Sequence, residues 1–165
     1  MTIFFYKAHG PYGCFSNFSP HSIYLQGKTW PTSEHYYQAQ KFVGSTSPER
    51  CHLIWQAPTP EAAATLGRDP RYPVRQDWDE VKSTVMYDAV WAKFSSHLEI
   101  QAILLGTGNA EIVEDSPTDT YWGCGRDRQG ENHLGKILMQ VRQQLRRVVP
   151  QEFALEATPF QHSQE

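Results

Sequence analysis

The chain has 165 residues, 39% hydrophobic and 20% charged, enough for one domain around a single core without a metal or disulfide staple. Its formal charge of -3 and pI near 6.2 exclude a general nucleic-acid binder, which would need clustered positive charge. Cys14, Cys51 and Cys124 form no CxxC pair, so neither a zinc knuckle nor a disulfide framework is expected.

In chain order, Ile3-Phe4-Phe5-Tyr6 reads as a short strand. Residues 10–21 are rich in Gly, Pro and Ser, and the interleaved Phe15 and Phe18 mark this loop as ordered and functional. Ile23-Tyr24-Leu25 and Lys28-Thr29-Trp30, joined by Gln26-Gly27, read as a hairpin. Thr32 or Ser33 caps a helix to about Val43. Ser47-Pro48-Glu49 and Thr59-Pro60-Glu61 each open another, with Pro where its missing N–H costs nothing, and Gly67 is a plausible stop. Asp77 caps the longest helix, to roughly His97, with apolar residues recurring from Trp78 to Phe94 at spacings of three and four. A short helix through Ile100–Leu105 ends at Gly106-Thr107-Gly108, and Ala110–Val113 forms a second strand. After a turn-rich stretch over 115–132, the last helix starts near Asn132 or His133. Its buried stripe is Leu134, Ile137, Leu138, Val141, Leu145 and Val148, and Pro150 ends it. Arg142, Arg146 and Arg147 are expected on its solvated face.

The expected architecture is mainly α with a small β-sheet or hairpin: a single domain over 1–150 and a loosely ordered C-terminal tail over 151–165. No apolar run approaches the ~20 residues of a membrane span, and no early stretch has the form of a signal peptide. A cytoplasmic protein with reduced thiols and no membrane partner is the simple expectation.

Candidate chemistry sits on one helix and two loops. Glu34, Gln38 and Lys41 are spaced by four and three, so they share a helix face with Tyr37 alongside. The spacing alone suits an exposed polar stripe. The bulk of His35, Tyr36, Tyr37 and Phe42 argues instead for a helix packed on most sides, its carboxylate and amine facing a cleft. Glu34 and Lys41 would then stand about two turns apart, roughly 10 Å along the axis, leaving room for a small sugar. A buried lysine loses its proton readily and becomes an amine nucleophile. Around Trp122, the glycines, Asp119 and Asn132 suit either a tight turn over a core ring or a loop approaching ribose or phosphate. His97 and His133 read as structural, Cys14 lacks a partner to activate it, and neither a GxGxxG nor a HExxH motif is present. No metal and no cofactor is called for.

The segments Phe15–Pro20, Trp30–Phe42, Leu66-Gly67-Arg68, Asp77-Trp78 and Lys93-Phe94 resemble the YbiA-like or NADAR family (NAD- and ADP-ribose-associated). So do Thr107-Gly108, Ser116-Pro117, Asp119, Trp122-Gly123, Gly130, Asn132 and Leu134-Gly135. The resemblance spans roughly residues 3–148 and rests most on the unbroken Trp30–Phe42 stretch. It implies a largely helical YbiA-like fold and N-glycosidase activity. The substrates it implies are phosphoribosylamino-pyrimidine intermediates of riboflavin biosynthesis, or ADP-ribose carried on guanine, including ADP-ribosylated nucleic acid. It also suggests Lys41 as covalent catalyst, with Glu34 and Asp119 as site carboxylates. In both substrates ribose hangs on an exocyclic amine, so the glycosylamine can open to an imine and a neutral lysine can displace the base by exchange. In this reading Trp122 and Phe15 stack on the base, and Asn17, Arg68 and Asn132 hold ribose or phosphate. Trp30 and Gly123 complete the substrate-binding set. Direct hydrolysis by carboxylate-activated water is the rival mechanism, and a non-catalytic ADP-ribose- or NAD-binding module the rival function.

Overall fold

Beginning with Thr2–Phe5 (β1), the chain runs through a 3-10 turn at Gly13–Phe15 into a hairpin of Ile23–Leu25 (β2) and Lys28–Trp30 (β3). Helices Ser33–Gln40 (α1), Arg50–Trp55 (α2), Pro60–Gly67 (α3), Trp78–Ser96 (α4) and Leu98–Gly106 (α5) follow. Strand Glu111–Glu114 (β4) and helix His133–Val148 (α6) complete the computed structural model, which describes residues 1–148. The expected stop at Pro150 and the tail lie outside the described residues.

The hairpin forms in the expected register, Ile23 opposite Trp30 and Leu25 opposite Lys28, with Gln26 and Gly27 both at positive φ as a two-residue turn requires. β1 pairs instead with β4, in parallel and in register from Thr2–Glu111 to Phe5–Glu114. The strands therefore make two separate two-stranded sheets. A parallel pair needs a crossover, and here that crossover is the hairpin and five helices.

Helix starts follow their caps. Thr32 Oγ1 accepts from His35 N and Thr59 Oγ1 from Ala62 N, each worth about 1 kcal/mol. Asp77 behaves differently from its expected role: it sits at the N-cap of α4, but its carboxylate pairs with Arg75 rather than capping. Gly67 ends α3 without a positive φ. Its lack of a side chain serves packing, since a Cβ there would lie 2.0 Å from Gln38 Oε1 and 2.8 Å from Gln38 Cβ.

α1 is the centre of the molecule, packed by α2, α3 and α4 and touched by β3. Every residue from Ser33 to Ala39 is buried, which explains why its sequence lacks a one-sided apolar stripe. α6 shows the opposite pattern. Leu134, Ile137, Leu138, Val141 and Leu145 are buried against α4 and β4, each large side chain worth ~1.5–3 kcal/mol, while Val148 is exposed. Arg142 departs from the expected solvated face. It is buried, and Nη1 donates to Thr107 Oγ1 and Ala110 O, both at 2.8 Å, tying α6 to the turn between α5 and β4. Arg146 reaches that turn too, through Asn109 Oδ1 and Gly108 O.

Candidate active site

A cleft of about 610 Å³ opens between α1, the loop before the hairpin, the end of β4 and the loop leading to α6. That is large enough for a nucleotide-sized ligand. The face of α1 carrying Glu34, Gln38 and Lys41 forms one wall. α1 ends at Gln40 rather than near Val43, so Lys41 is its C-cap. The Lys41 carbonyl accepts from Arg75 N at 2.7 Å, which fixes the backbone beneath the amine.

Lys41 Nζ makes no ion pair within 4.0 Å among the described residues and lies 5.5 Å from the Tyr37 ring centre. Burial lowers its pKa to about 8, with Arg68 and Lys82 adding to the effect and the Glu34 charge opposing it. A sizeable neutral fraction near neutral pH makes the amine usable as a nucleophile. Glu34 is buried, and the one hydrogen bond its carboxylate receives among the described residues is from Gln38 Nε2, 2.7 Å from Oε1. Burial pushes the Glu34 carboxyl upward, while Gln38, Arg68 and Lys41 draw it back toward the charged form. The Gln38 carbonyl oxygen is buried against Gly67 without a donor among the described residues, so the amide is held in place by packing as much as by Glu34.

The opposite wall is the stretch after β4. Ser116 Oγ accepts from Asp119 N at 3.0 Å, and Asp119 Oδ1 accepts from the N–H groups of Tyr121 (2.9 Å) and Trp122 (2.7 Å). This fixes the carboxylate and the ring together. Trp122 is half-buried, meets the Tyr37 ring edge-on at 5.5 Å and donates its indole N–H to Tyr37 OH at 3.2 Å. The bond joins the loop to α1 across the cleft floor.

The structure thus brings Lys41, Glu34, Asp119, Asn17, Arg68 and Trp122 to one cleft. Arg68 is exposed at its edge, and its side chain has no hydrogen-bond partner among the described residues. Asn17 lines the cleft, but its amide is engaged structurally: Oδ1 accepts from Ser33 Oγ at 2.8 Å and Nδ2 donates to Met86 Sδ at 3.2 Å.

The other four expected substrate contacts lie elsewhere. Phe15, 1% exposed, sits in the core among Phe5, Tyr12 and Phe94, so it cannot stack on a ligand. Trp30, 4% exposed, packs on Tyr36 and donates its indole N–H to Leu25 O, closing the hairpin. Gly123 is buried where a Cβ would come within 2.8 Å of Ser116 Cβ and 2.9 Å of Glu114 O. Asn132 clamps β4, accepting from Glu114 N (3.0 Å) and donating to Ile112 O (2.9 Å) from a positive-φ backbone. Gly123 and Asn132 back the wall formed by Glu114 and Ser116, whereas Phe15 and Trp30 serve the core and the hairpin. The residue that sequence reasoning missed is Glu114, at the end of β4 and inside the cleft. Only its acidic side chain closing an apolar strand could have pointed to it.

Among the described residues no group of three or more His, Cys, Asp and Glu could hold a metal, and no helix is long and apolar enough to cross a membrane.

A family model described as the NADAR domain matches residues 4–146. An N-glycosidase of Nostoc punctiforme is 55% identical over 149 residues, covering 90% of this chain and 96% of its own. The N-glycosidase YbiA of Escherichia coli K12 is 47% identical over 141 residues, 86% of each chain. A chloroplastic riboflavin biosynthesis protein of Zea mays is 44% identical over 90% of this chain, which spans 26% of that longer protein. In three dimensions the fold is similar to the NMR structure of E. coli YbiA, with a TM-score of 0.81 and 43% identity over 98% of this chain and 91% of that one. The mainly helical fold with its small strand set is the YbiA fold, and this chain belongs to the NADAR family.

Proposed function

We propose that this protein hydrolyses the bond between ribose and an exocyclic amine of a base, with phosphoribosylamino-pyrimidines as the substrate class. Similarity over most of the chain to proteins named N-glycosidases makes it a hydrolase of N-glycosyl bonds. The name of the maize relative draws the substrate class toward riboflavin intermediates, which are small molecules. The observation that carries the mechanism is Lys41: an amine without an ion pair among the described residues, depressed to about 8 by burial, in one cleft with Glu34 and Asp119.

The reaction begins with the ring-opened imine of the glycosylamine. Neutral Lys41 Nζ adds to ribose C1′, the C1′–N bond to the base breaks, and the base leaves as an amine. The sugar remains as a Schiff base on Lys41, and water then releases ribose 5-phosphate and restores the lysine. Glu34, on the same cleft wall as Lys41 and oriented by Gln38, takes the lysine proton, passes it to the base nitrogen and later returns one to the lysine, a role typically worth ~10²–10⁴ in rate. Asp119, with Oδ1 committed to the loop, offers Oδ2 to sugar hydroxyls. Trp122 and Tyr37 supply the surface for the base, and Arg68 supplies the exposed cation for the phosphate.

The test is product release from 5-amino-6-ribosylaminouracil 5′-phosphate. Ribose 5-phosphate should form with the wild-type protein and not with Lys41→Ala, whose melting temperature should stay within a few degrees. Unchanged substrate after long incubation with saturating wild-type protein would sink the reading and favour a binding module.

A further inference from the structure

A base leaving as an amine needs a second proton on its departing nitrogen besides the one from the lysine, and the account above, on which this inference rests, names no donor for it. Three carboxyl groups line the cleft: Glu34, Glu114 and Asp119. Two already have other duties in their hydrogen bonds. Glu34 receives the Gln38 amide, and Asp119 receives two backbone N–H groups.

Glu114 differs. Its side chain receives no donor among the described residues, and its buried Oε2 has no partner. Yet its backbone is tied on both sides. Glu114 N donates to Asn132 Oδ1 at 3.0 Å, Glu114 O accepts from Cys124 N at 2.9 Å, and β1 flanks it with Phe5 in register. A carboxyl on a backbone fixed in this way, half-buried and with Oε2 shut off from solvent and undonated, is an acid that keeps its proton and presents it to whatever occupies the cleft. We infer that Glu114 is the catalytic acid that protonates the departing exocyclic amine.

The groups facing it agree. The carboxylates Glu34 from α1 and Asp119 from the far loop both oppose a charge on Glu114. Arg68 after α3 favours one, and Tyr37 and Tyr121 add neutral hydroxyls. Lys41 at the end of α1, and Tyr6 and Lys7 after β1, also line the cleft without a bond to the carboxyl. Burial dominates the balance and pushes Glu114 up to about 7, with Asp119 and Glu34 adding to it.

The step balances. On addition the base nitrogen takes the proton that Glu34 removed from the lysine; as C1′–N breaks, its electron pair goes to that nitrogen, which takes a second proton from Glu114. The Glu114 carboxylate then removes a proton from the water that adds to the Schiff base, and is restored for the next turnover. One group thus serves as acid and then as base.

The experiment compares wild type and Glu114→Gln on the natural substrate and on N-(5-phosphoribosyl)-4-nitroaniline, whose weakly basic nitrogen needs less help to leave. The expected loss in kcat is about 10²-fold or more with the natural substrate, shrinking with the nitroaniline. The alkaline fall in kcat/KM should vanish in the variant. Borohydride should still trap ribose 5-phosphate on Lys41 of Glu114→Gln at wild-type yield, because the equilibrium amount of adduct does not depend on the acid. An equal loss with both leaving groups, or no loss, overturns the assignment of Glu114 while leaving the glycosidase reading intact. A wild-type protein that releases no ribose 5-phosphate overturns both. If Glu114→Gln fails to fold, the wild-type pH profiles decide. An alkaline fall that flattens with the nitroaniline supports the acid, and an identical fall with both substrates rules it out.

Discussion

Adding one methyl group at position 67, which lies outside the cleft lining, should disturb the site from behind by pressing on the cleft residue Gln38. In Gly67→Ala the new Cβ meets Gln38 Oε1 at 2.0 Å, Cδ at 2.7 Å and Cβ at 2.8 Å. The amide end can swing away, but Gln38 Cβ cannot, so α3 and α1 must separate by some tenths of an ångström. Overpacking of this kind costs about 1–3 kcal/mol. Alanine in place of glycine at a helical φ returns up to about 1 kcal/mol, so a net loss of about 0.5–2 kcal/mol is expected. For a chain of this size that lowers Tm by about 1–8 °C. The functional effect is separate. Gln38 Nε2 leaves Glu34, removing the one hydrogen bond that favours its charged form. With less negative charge nearby, Lys41 loses the influence that holds its pKa up, and the acid limb of kcat/KM moves to lower pH. Thermal denaturation and a pH–rate profile read the two effects. An unchanged Tm together with an unchanged acid limb would refute the reasoning that Gly67 sets the position of Gln38.

Two further outcomes follow from buried groups. Lys93 is 1% exposed, and its ammonium donates to Ser16 O at 2.8 Å; burial lowers its pKa to about 7. The unfolded chain therefore holds more protons than the folded one between about 7 and 10.5, and this group makes stability rise with pH across that window. The stability difference between Lys93→Met and wild type, by urea denaturation at several pH values, should shift toward wild type as pH climbs from 7 to 10, and a pH-independent difference contradicts this. Asn132→Ala leaves Glu114 N and Ile112 O without their partner, a cost of about 1–3 kcal/mol for each buried group. Stability should fall by more than 2 kcal/mol, whereas a raised KM at unchanged stability would make Asn132 a ligand contact instead.

The parts of this molecule that sequence reasoning reached are those settled within a few residues. Thr32 and Thr59 announce helix starts through their own hydroxyls, and Gln26-Gly27 announces a turn whose φ values must be positive. The polar face of α1 was legible for the same reason, since spacings of four and three fix Glu34, Gln38 and Lys41 together. Features set by distant partners were not. The parallel pairing of β1 with β4 joins Thr2 to Glu111, and no local pattern encodes it. Arg142 looked solvated because helical spacing says nothing of the turn at 107–110 that buries it. Phe15 and Trp30 show the limit for aromatic rings: the same residue types build a core or a ligand wall, and only tertiary neighbours separate the two. Glu114 escaped notice because a single carboxylate ending a strand gains its meaning from Glu34 and Asp119 across the cleft.

Borohydride trapping tests the central claim most directly. Wild-type protein is mixed with 5-amino-6-ribosylaminouracil 5′-phosphate, reduced during turnover, digested, and its peptides weighed. A reduced phosphoribosyl adduct on the peptide carrying Lys41, absent from Lys41→Ala, is the predicted result. Steady release of ribose 5-phosphate with no trapped adduct, or turnover by Lys41→Ala, would contradict a lysine Schiff base and leave direct attack of water as the route.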